Sequence, residues 1–267
     1  MVNKWTGVKQ STARMGHDPL DGEVAIVTGA SVGIGAATAR ALARRGVRVV
    51  LAARRADLLD AQVEAITKAG GCALGVPADV SDPAKVEALV RHTLDTYGRV
   101  DVLVNNVGGG AFAPLTLEPV EIAHMVDANL TGAILLTRAV LPGMMERRHG
   151  AIIAVAAVTG AVALDPLYSA TKFGLRGFAL SLRRQVAGSG VTVSVVSPGY
   201  IQTDPTRRPR LLVPGPDAVA RRIVDVVVRP RREVFIPRFY RAAVWVEYAF
   251  PWIWDLTMQS RLAPRSQ

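Results

Sequence analysis

One cysteine, Cys72, stands among 267 residues, which excludes an intrachain disulfide and a cysteine-built metal cluster. It fits a reducing compartment, and cytoplasmic localisation is expected. No apolar run follows the first basic residues, so no signal peptide is expected. Lysine is scarce: the net charge of +10 arises from 32 basic residues, of which 5 are lysines, against 22 acidic ones. Nucleic acid would be one explanation of that charge, but no zinc-finger spacing or similar signature accompanies it. Charge alone does not define function, and no nucleic-acid partner is expected. Aromatic residues number 15, and 8 of them crowd between Phe235 and Trp254. The last scarcity is local: residues 150–160 read Gly-Ala-Ile-Ile-Ala-Val-Ala-Ala-Val-Thr-Gly and contain no serine.

Half of the residues are apolar, enough for a sizeable core. Short β-branched runs alternate with longer helical patterns, which argues for a parallel sheet built from βαβ units. Strands are expected at 24–27, 48–52, 72–77, 100–104, 151–155, 191–196 and 233–236. Helices are expected at 33–45, 57–69, 83–97, 119–145, 167–186 and 217–228. Continuous apolar strands fit a sheet covered on both faces. There are no internal repeats and no clear linker. The expected fold class is therefore α/β, a single-domain doubly wound parallel sheet of about seven strands over residues 21–237. A flexible extension over 1–20 precedes it and an aromatic-rich tail over 238–267 follows it.

Two stretches carry chemistry. Tyr168 and Lys172 lie four residues apart, so on a helix they project from one face. The ammonium favours the phenolate and lowers a tyrosine pKa that is otherwise about 10, which makes the phenol a usable proton donor or acceptor. The second stretch is Thr28-Gly29-Ala30-Ser31-Val32-Gly33-Ile34-Gly35, between the first strand and the first helix. Glycines at that spacing permit a tight turn and a close backbone approach, while the helix N-terminal amides receive a pyrophosphate.

With these motifs the chain resembles a short-chain dehydrogenase/reductase over roughly residues 21–237. The resemblance rests on the glycine motif, Asp79-Val80, Asn105-Asn106-Val107-Gly108, Asn129, Tyr168-x-x-x-Lys172 and Pro198-Gly199-Tyr200-Ile201-Gln202-Thr203. It implies a Rossmann-like fold and an enzyme that binds a nicotinamide cofactor. Gly29, Ser31, Val32, Gly33, Ile34 and Gly35 would hold the pyrophosphate end. Asp79 and Val80 would face the adenine and Asn106 the cofactor ribose. Pro198, Gly199, Ile201 and Thr203 would border the nicotinamide. Val107 stands where the family usually has alanine. NAD-preferring relatives close the second strand with an acidic residue; here Ala53 takes that place, followed by Arg54 and Arg55. Arginines suit a 2′-phosphate, so NADP(H) is expected over NAD(H).

The resemblance also implies the catalytic roles. Tyr168 would exchange a proton with the substrate oxygen, Lys172 would hold the nicotinamide ribose, and Asn129 would support a water-linked proton path to Lys172. The family's catalytic serine falls on Ala157, 11 residues before Tyr168, and the intervening loop is shorter than usual. Thr159 is the nearby hydroxyl, more in keeping with a structural turn. Loss of one oxyanion donor typically costs about 2.7–4 kcal/mol, roughly 10²–10³ in rate, so slowed catalysis survives that arithmetic. The expectation is an NADP(H)-dependent oxidoreductase interconverting a carbonyl and a secondary alcohol on a fairly apolar small molecule. The alternatives are a non-catalytic NADP(H)-binding sensor or assembly partner, and a family member catalysing epimerisation or dehydration without net redox. A homo-oligomer is expected. Residues 203–217 are the expected substrate lid. The aromatic tail is too short and interrupted to span a bilayer. A subunit contact or a wall over the substrate pocket ranks ahead of a peripheral membrane contact for it.

Overall fold

A computed structural model of the chain describes residues 18–110, 116–201, 213–253 and 255. The expected lid falls largely outside the described residues, as does Thr203. Seven parallel strands form one sheet in the order β3-β2-β1-β4-β5-β6-β7. They are β1 (Val24–Thr28), β2 (Arg48–Ala53), β3 (Cys72–Pro77), β4 (Val102–Asn105), β5 (Gly150–Val155), β6 (Val191–Pro198) and β7 (Glu233–Ile236). The helices are α1 (Gly33–Ala43), α2 (Ala56–Lys68), α3 (Pro83–Tyr97), α4 (Pro119–Val126), α5 (Gly132–Glu146), α6 (Pro166–Gln185), α7 (Pro216–Val228) and α8 (Tyr240–Ala249).

The strands are apolar on both sides because both faces are covered. In β1, Ala25 and Val27 join a core with α1, α2 and α7, while Ile26 points to a second core with α3, α5 and α6. That alternation is the period of two expected of a strand between two helical layers. Helix starts follow local chemistry. Asp82 caps α3 by accepting from Ala84 N and Lys85 N, and Asp165 caps α6 by accepting from Tyr168 N at 2.9 Å; proline opens both helices.

Three expectations shift. The single helix expected over 119–145 is two helices joined by a π-helical turn, Asp127–Thr131, which contains Asn129. The fourth strand starts at Val102, since Asp101 turns its buried carboxylate back to accept from Val24 N and Arg99. The described part of the expected flexible extension packs: Asp18 pairs with Arg45 and Leu20 is buried in the core. The aromatic tail also holds a helix, α8, which propensity alone did not announce.

Candidate active site

Between β1 and β4 the strand order reverses, and a crevice opens there at the carboxyl ends of the strands. A cleft of about 880 Å³ occupies it, lined by the segments that leave β1 to β6. Of the described site residues expected from the sequence, all line this cleft except Gly35, which lies beneath its wall.

The phosphate end is backbone. Gly29 and Gly33 have positive φ, +64° and +60°, which a side chain would strain. A Cβ on Gly35 would collide with the Gly29 carbonyl and come within 2.7 Å of Asn106 Nδ2, so this turn closes only with glycine. The N-cap of α1 is Val32, which offers no side-chain acceptor, so the first amides of α1 remain open to an anion. Asn106 ties β4 to the turn, its Nδ2 donating to Thr28 O at 2.9 Å and its backbone N to Thr28 Oγ1 at 3.0 Å.

At the end of β2, Ala53 is nearly buried and contributes no charge, and the exposed Arg54 and Arg55 follow it. Arg54 reaches Asp79 at 3.9 Å and His124 of α4 at 3.4 Å. Burial pushes the Asp79 carboxyl up, but hydrogen bonds from Ser81 N and Oγ and the charges of Arg54 and His124 outweigh it and hold the group below the usual carboxylate range. These cationic and backbone donors fit a dinucleotide that carries a 2′-phosphate.

The chemical end is built on α6. Lys172 is wholly buried, and its Nζ donates to Val107 O at 3.2 Å and Val155 O at 3.1 Å. Burial lowers its pKa from 10.5 to about 8. Its ammonium lies 5.7 Å from the centre of the Tyr168 ring. The expected lowering of the tyrosine does not hold in this state: burial, and then the charge of Asp165, raise Tyr168 above 10.0. Asn129, buried in the π-helical turn, accepts from Gly109 N at 3.2 Å and donates to Gly109 O at 2.9 Å and Thr171 Oγ1 at 3.1 Å. It fixes the glycine loop over Lys172 and Tyr168; π-turns of this kind occur often at functional sites. Ala157 lines the cleft in extended backbone, φ −163° and ψ 164°, whereas Thr159 does not line it.

The helix expected over 119–145 covers α4, but sequence reasoning did not bring α4 to the site. Val120, Glu121, His124 and Met125 form one wall of the cleft, and no motif marks them. Tyr240 packs on Gly199, and Val244 packs on Val158, Ala161 and Val162, so α8 backs the turn that precedes Tyr168.

The family profile described as short chain dehydrogenase matches residues 23–210. A ketoacyl reductase, HetN, of Nostoc sp. is 38% identical over 229 residues, 81% of this chain and 79% of its own. The 3-oxoacyl-[acyl-carrier-protein] reductase FabG of Escherichia coli is 39% identical over 191 residues, 70% and 77%. Among solved structures, a metagenomic short-chain oxidoreductase in complex with NADP superposes with a TM-score of 0.73 at 35% identity, covering 80% of this chain and 96% of that one. An actinorhodin polyketide ketoreductase with NADPH gives 0.71 at 33%, covering 77% and 90%. The chain belongs to the short chain dehydrogenase family of NAD(P)-dependent oxidoreductases.

Proposed function

We propose that the protein is an NADPH-dependent reductase that converts a carbonyl to a secondary alcohol on a fairly apolar small molecule. The observation that carries this reading is Tyr168 lining the cleft beside a wholly buried Lys172, one helical turn apart. NADP(H) is favoured over NAD(H) by Arg54 and Arg55 beside the uncharged Ala53, and the solved relatives named above hold NADP or NADPH. The bound dinucleotide supplies a hydride. Tyr168, raised above 10.0 by burial and then by Asp165, is a phenol at neutral pH and donates its proton to the substrate oxygen as negative charge develops there. Lys172 presents a cation to the floor of the cleft from between two carbonyls, and Asn129 holds the Gly108–Gly110 loop against it.

Because similar chains are named ketoacyl reductases, 3-oxoacyl thioesters belong in the substrate panel, beside simple ketones and aldehydes. NADPH oxidation is measured across that panel. Tyr168→Phe is expected to lower kcat/KM by about 10²–10⁴ while NADPH still binds. Unchanged turnover in that variant would overturn the reading. Ala157 favours a second reading, a non-catalytic NADP(H)-binding protein, which predicts cofactor binding with no turnover on any compound. Epimerisation or dehydration would show product without net NADPH consumption. The single cysteine supports a reducing, cytoplasmic setting, and family membership supports a homo-oligomer.

A further inference from the structure

Beside the edge strand β7, on the outer side of α8, lies a second cleft of about 1070 Å³ that the reductase chemistry does not use. Eight arginines line it against two carboxylates, Asp225 and Glu233. Three of the arginines are paired: Arg45 with Asp18, Arg176 with Glu233 through 2.8 and 2.9 Å bonds, and Arg222 with Asp225 at 3.1 Å. Among the described residues, the other five (Arg229, Arg231, Arg232, Arg238 and Arg241) make no side-chain ion pair. Both carboxylates are thus engaged, and the surplus of positive charge is left to solvent.

The same corner exposes aromatics. Arg241, Trp245 and Tyr248 follow the helical spacing of one face of α8 and line the cleft. Trp245 is 64% and Tyr248 61% exposed. Phe250 stacks edge-on against Trp245 at 5.9 Å, and Phe239 and Trp252 are exposed on either side of the helix. The inner face, Tyr240 and Val244, is already spent on the active-site turn, so the pocket-wall role does not explain the outer one.

Three kinds of occupant can be weighed by charge. A second copy docking through a twofold axis would set the unpaired arginines against themselves, which opposes such a contact. A small anion would satisfy the arginines and leave Phe239, Phe250 and Trp252 in water. An anionic bilayer satisfies both, because lipid phosphates meet arginine, and tryptophan and tyrosine rest at headgroup depth with their polar edges wet. No helix among the described residues is long and apolar enough to cross a membrane, so the contact is one of surface docking.

We infer that the corner formed by α7, β7 and α8 docks the protein onto an anionic phospholipid bilayer. The unpaired arginines lie on lipid phosphates, and Trp245, Tyr248, Phe250 and Trp252 lie at the level of the headgroups. This inference stands independently of the reductase reading.

The test is co-sedimentation of the full chain with vesicles of phosphatidylcholine alone, or of equal parts phosphatidylcholine and phosphatidylglycerol. Binding is expected only with the mixed vesicles. It should weaken with added salt as the screening length shrinks from about 10 Å at 0.1 M to about 3 Å at 1 M. Each arginine near an anionic surface contributes about fivefold to partitioning, so Arg231→Ala, Arg232→Ala and Arg238→Ala together should cost on the order of 100-fold. Those substitutions lie outside the cofactor cleft and should leave NADPH binding unchanged, which checks the fold. Trp245→Ala with Trp252→Ala should weaken binding at every salt concentration. No sedimentation with mixed vesicles at low salt overturns the inference, and so does equal sedimentation with neutral ones. Two further results would also overturn it: the arginine variant dissolving an oligomer without changing vesicle binding, or an oligodeoxythymidylate displacing the protein from vesicles at equal phosphate.

Discussion

Lys172 offers a measurement that tests the chemistry of the site without any substrate. Its side chain is 1% exposed, and burial alone brings its pKa from 10.5 to about 8. Below pH 8 the native and unfolded chains both hold the proton, and the full cost of burying the charge, about 3 kcal/mol, falls on the native state. Between pH 8 and 10.5 the unfolded chain keeps its proton while the native chain releases it. The unfolded state then binds more protons, so stability rises with pH. From pH 7 to pH 9.5 the rise amounts to about 2 kcal/mol. Tyr168 opposes this rise only slightly: the unfolded phenol begins to ionise as the pH nears about 10, while the native one, raised above 10.0, keeps its proton.

The comparison is with Lys172→Met, which keeps the volume and has nothing to titrate. At pH 7 the two proteins should be close in stability. Methionine escapes the burial cost but leaves the carbonyls of Val107 and Val155 without a donor, a loss of about 1–3 kcal/mol of the opposite sign. The informative quantity is the slope. Urea unfolding of the cofactor-free proteins at pH 7, 8, 9 and 9.5, followed by circular dichroism, should show the wild type gaining on the variant by about 2 kcal/mol, most of it above pH 8. Groups elsewhere cancel in the difference. A difference that stays flat to pH 9.5 would mean that Lys172 titrates as an ordinary solvated lysine, and the buried cation on which the proposed site rests would be refuted.

The remaining expectations follow from single contacts. Arg54→Ala with Arg55→Ala should raise the Kd for NADPH by on the order of 10–100-fold, the worth of a charge-assisted hydrogen bond, and move the Kd for NADH little; fluorescence titration of both cofactors checks this. Gly35→Ala should abolish cofactor binding and lower Tm, since its Cβ overlaps the Gly29 carbonyl in a turn that cannot widen without releasing Asn106. Ala157→Ser should raise kcat by about 10²–10³, read in NADPH oxidation, if the site is a reductase lacking one donor to the developing oxyanion.

Much of this fold is legible because it is repetitive. β3, α3 and β7 fall on the expected residues: Pro83 opens α3 and Gly98 ends it, and Pro237 follows β7. The cofactor turn is legible for a different reason: Gly29, Gly33 and Gly35 are each needed by a backbone constraint that operates within eight residues. What stayed hidden depends on distant partners. The π-turn at Asn129 is set by Gly109 and Thr171, 20 and 42 residues away. The wall made by Val120, His124 and Met125 carries no motif, because such residues need only shape. The direction of the Tyr168 shift was misjudged for the same reason: spacing brings Lys172 near, but burial and Asp165 decide the sign, and neither can be read from an i, i+4 pair.

On the proposed reductase reading, alanine at 157 in place of the family's serine has a bounded effect. Thr159 is the nearby hydroxyl, yet its Oγ1 is buried without a hydrogen-bond partner inside a single 3₁₀ turn. That turn is pinned from both sides. A Cβ on Gly160 would lie 2.8 Å from Lys172 O, so the turn already rests against the backbone of α6, and its neighbours Val158, Ala161 and Val162 are held by Val244 of α8. Rotating Thr159 into the cleft would lift Gly160 off the residue that bears the buried ammonium. Asn129 is no substitute, because its amide is committed to Gly109 and Thr171. The backbone at 157, in contrast, is extended and faces the cleft, a conformation that serine adopts without strain. On that reading the loss is one hydroxyl, and it bears on rate by the amount that one donor is worth. Ala157→Ser is then the substitution that separates the two readings: a slowed reductase gains rate, whereas a protein that only binds its cofactor gains none.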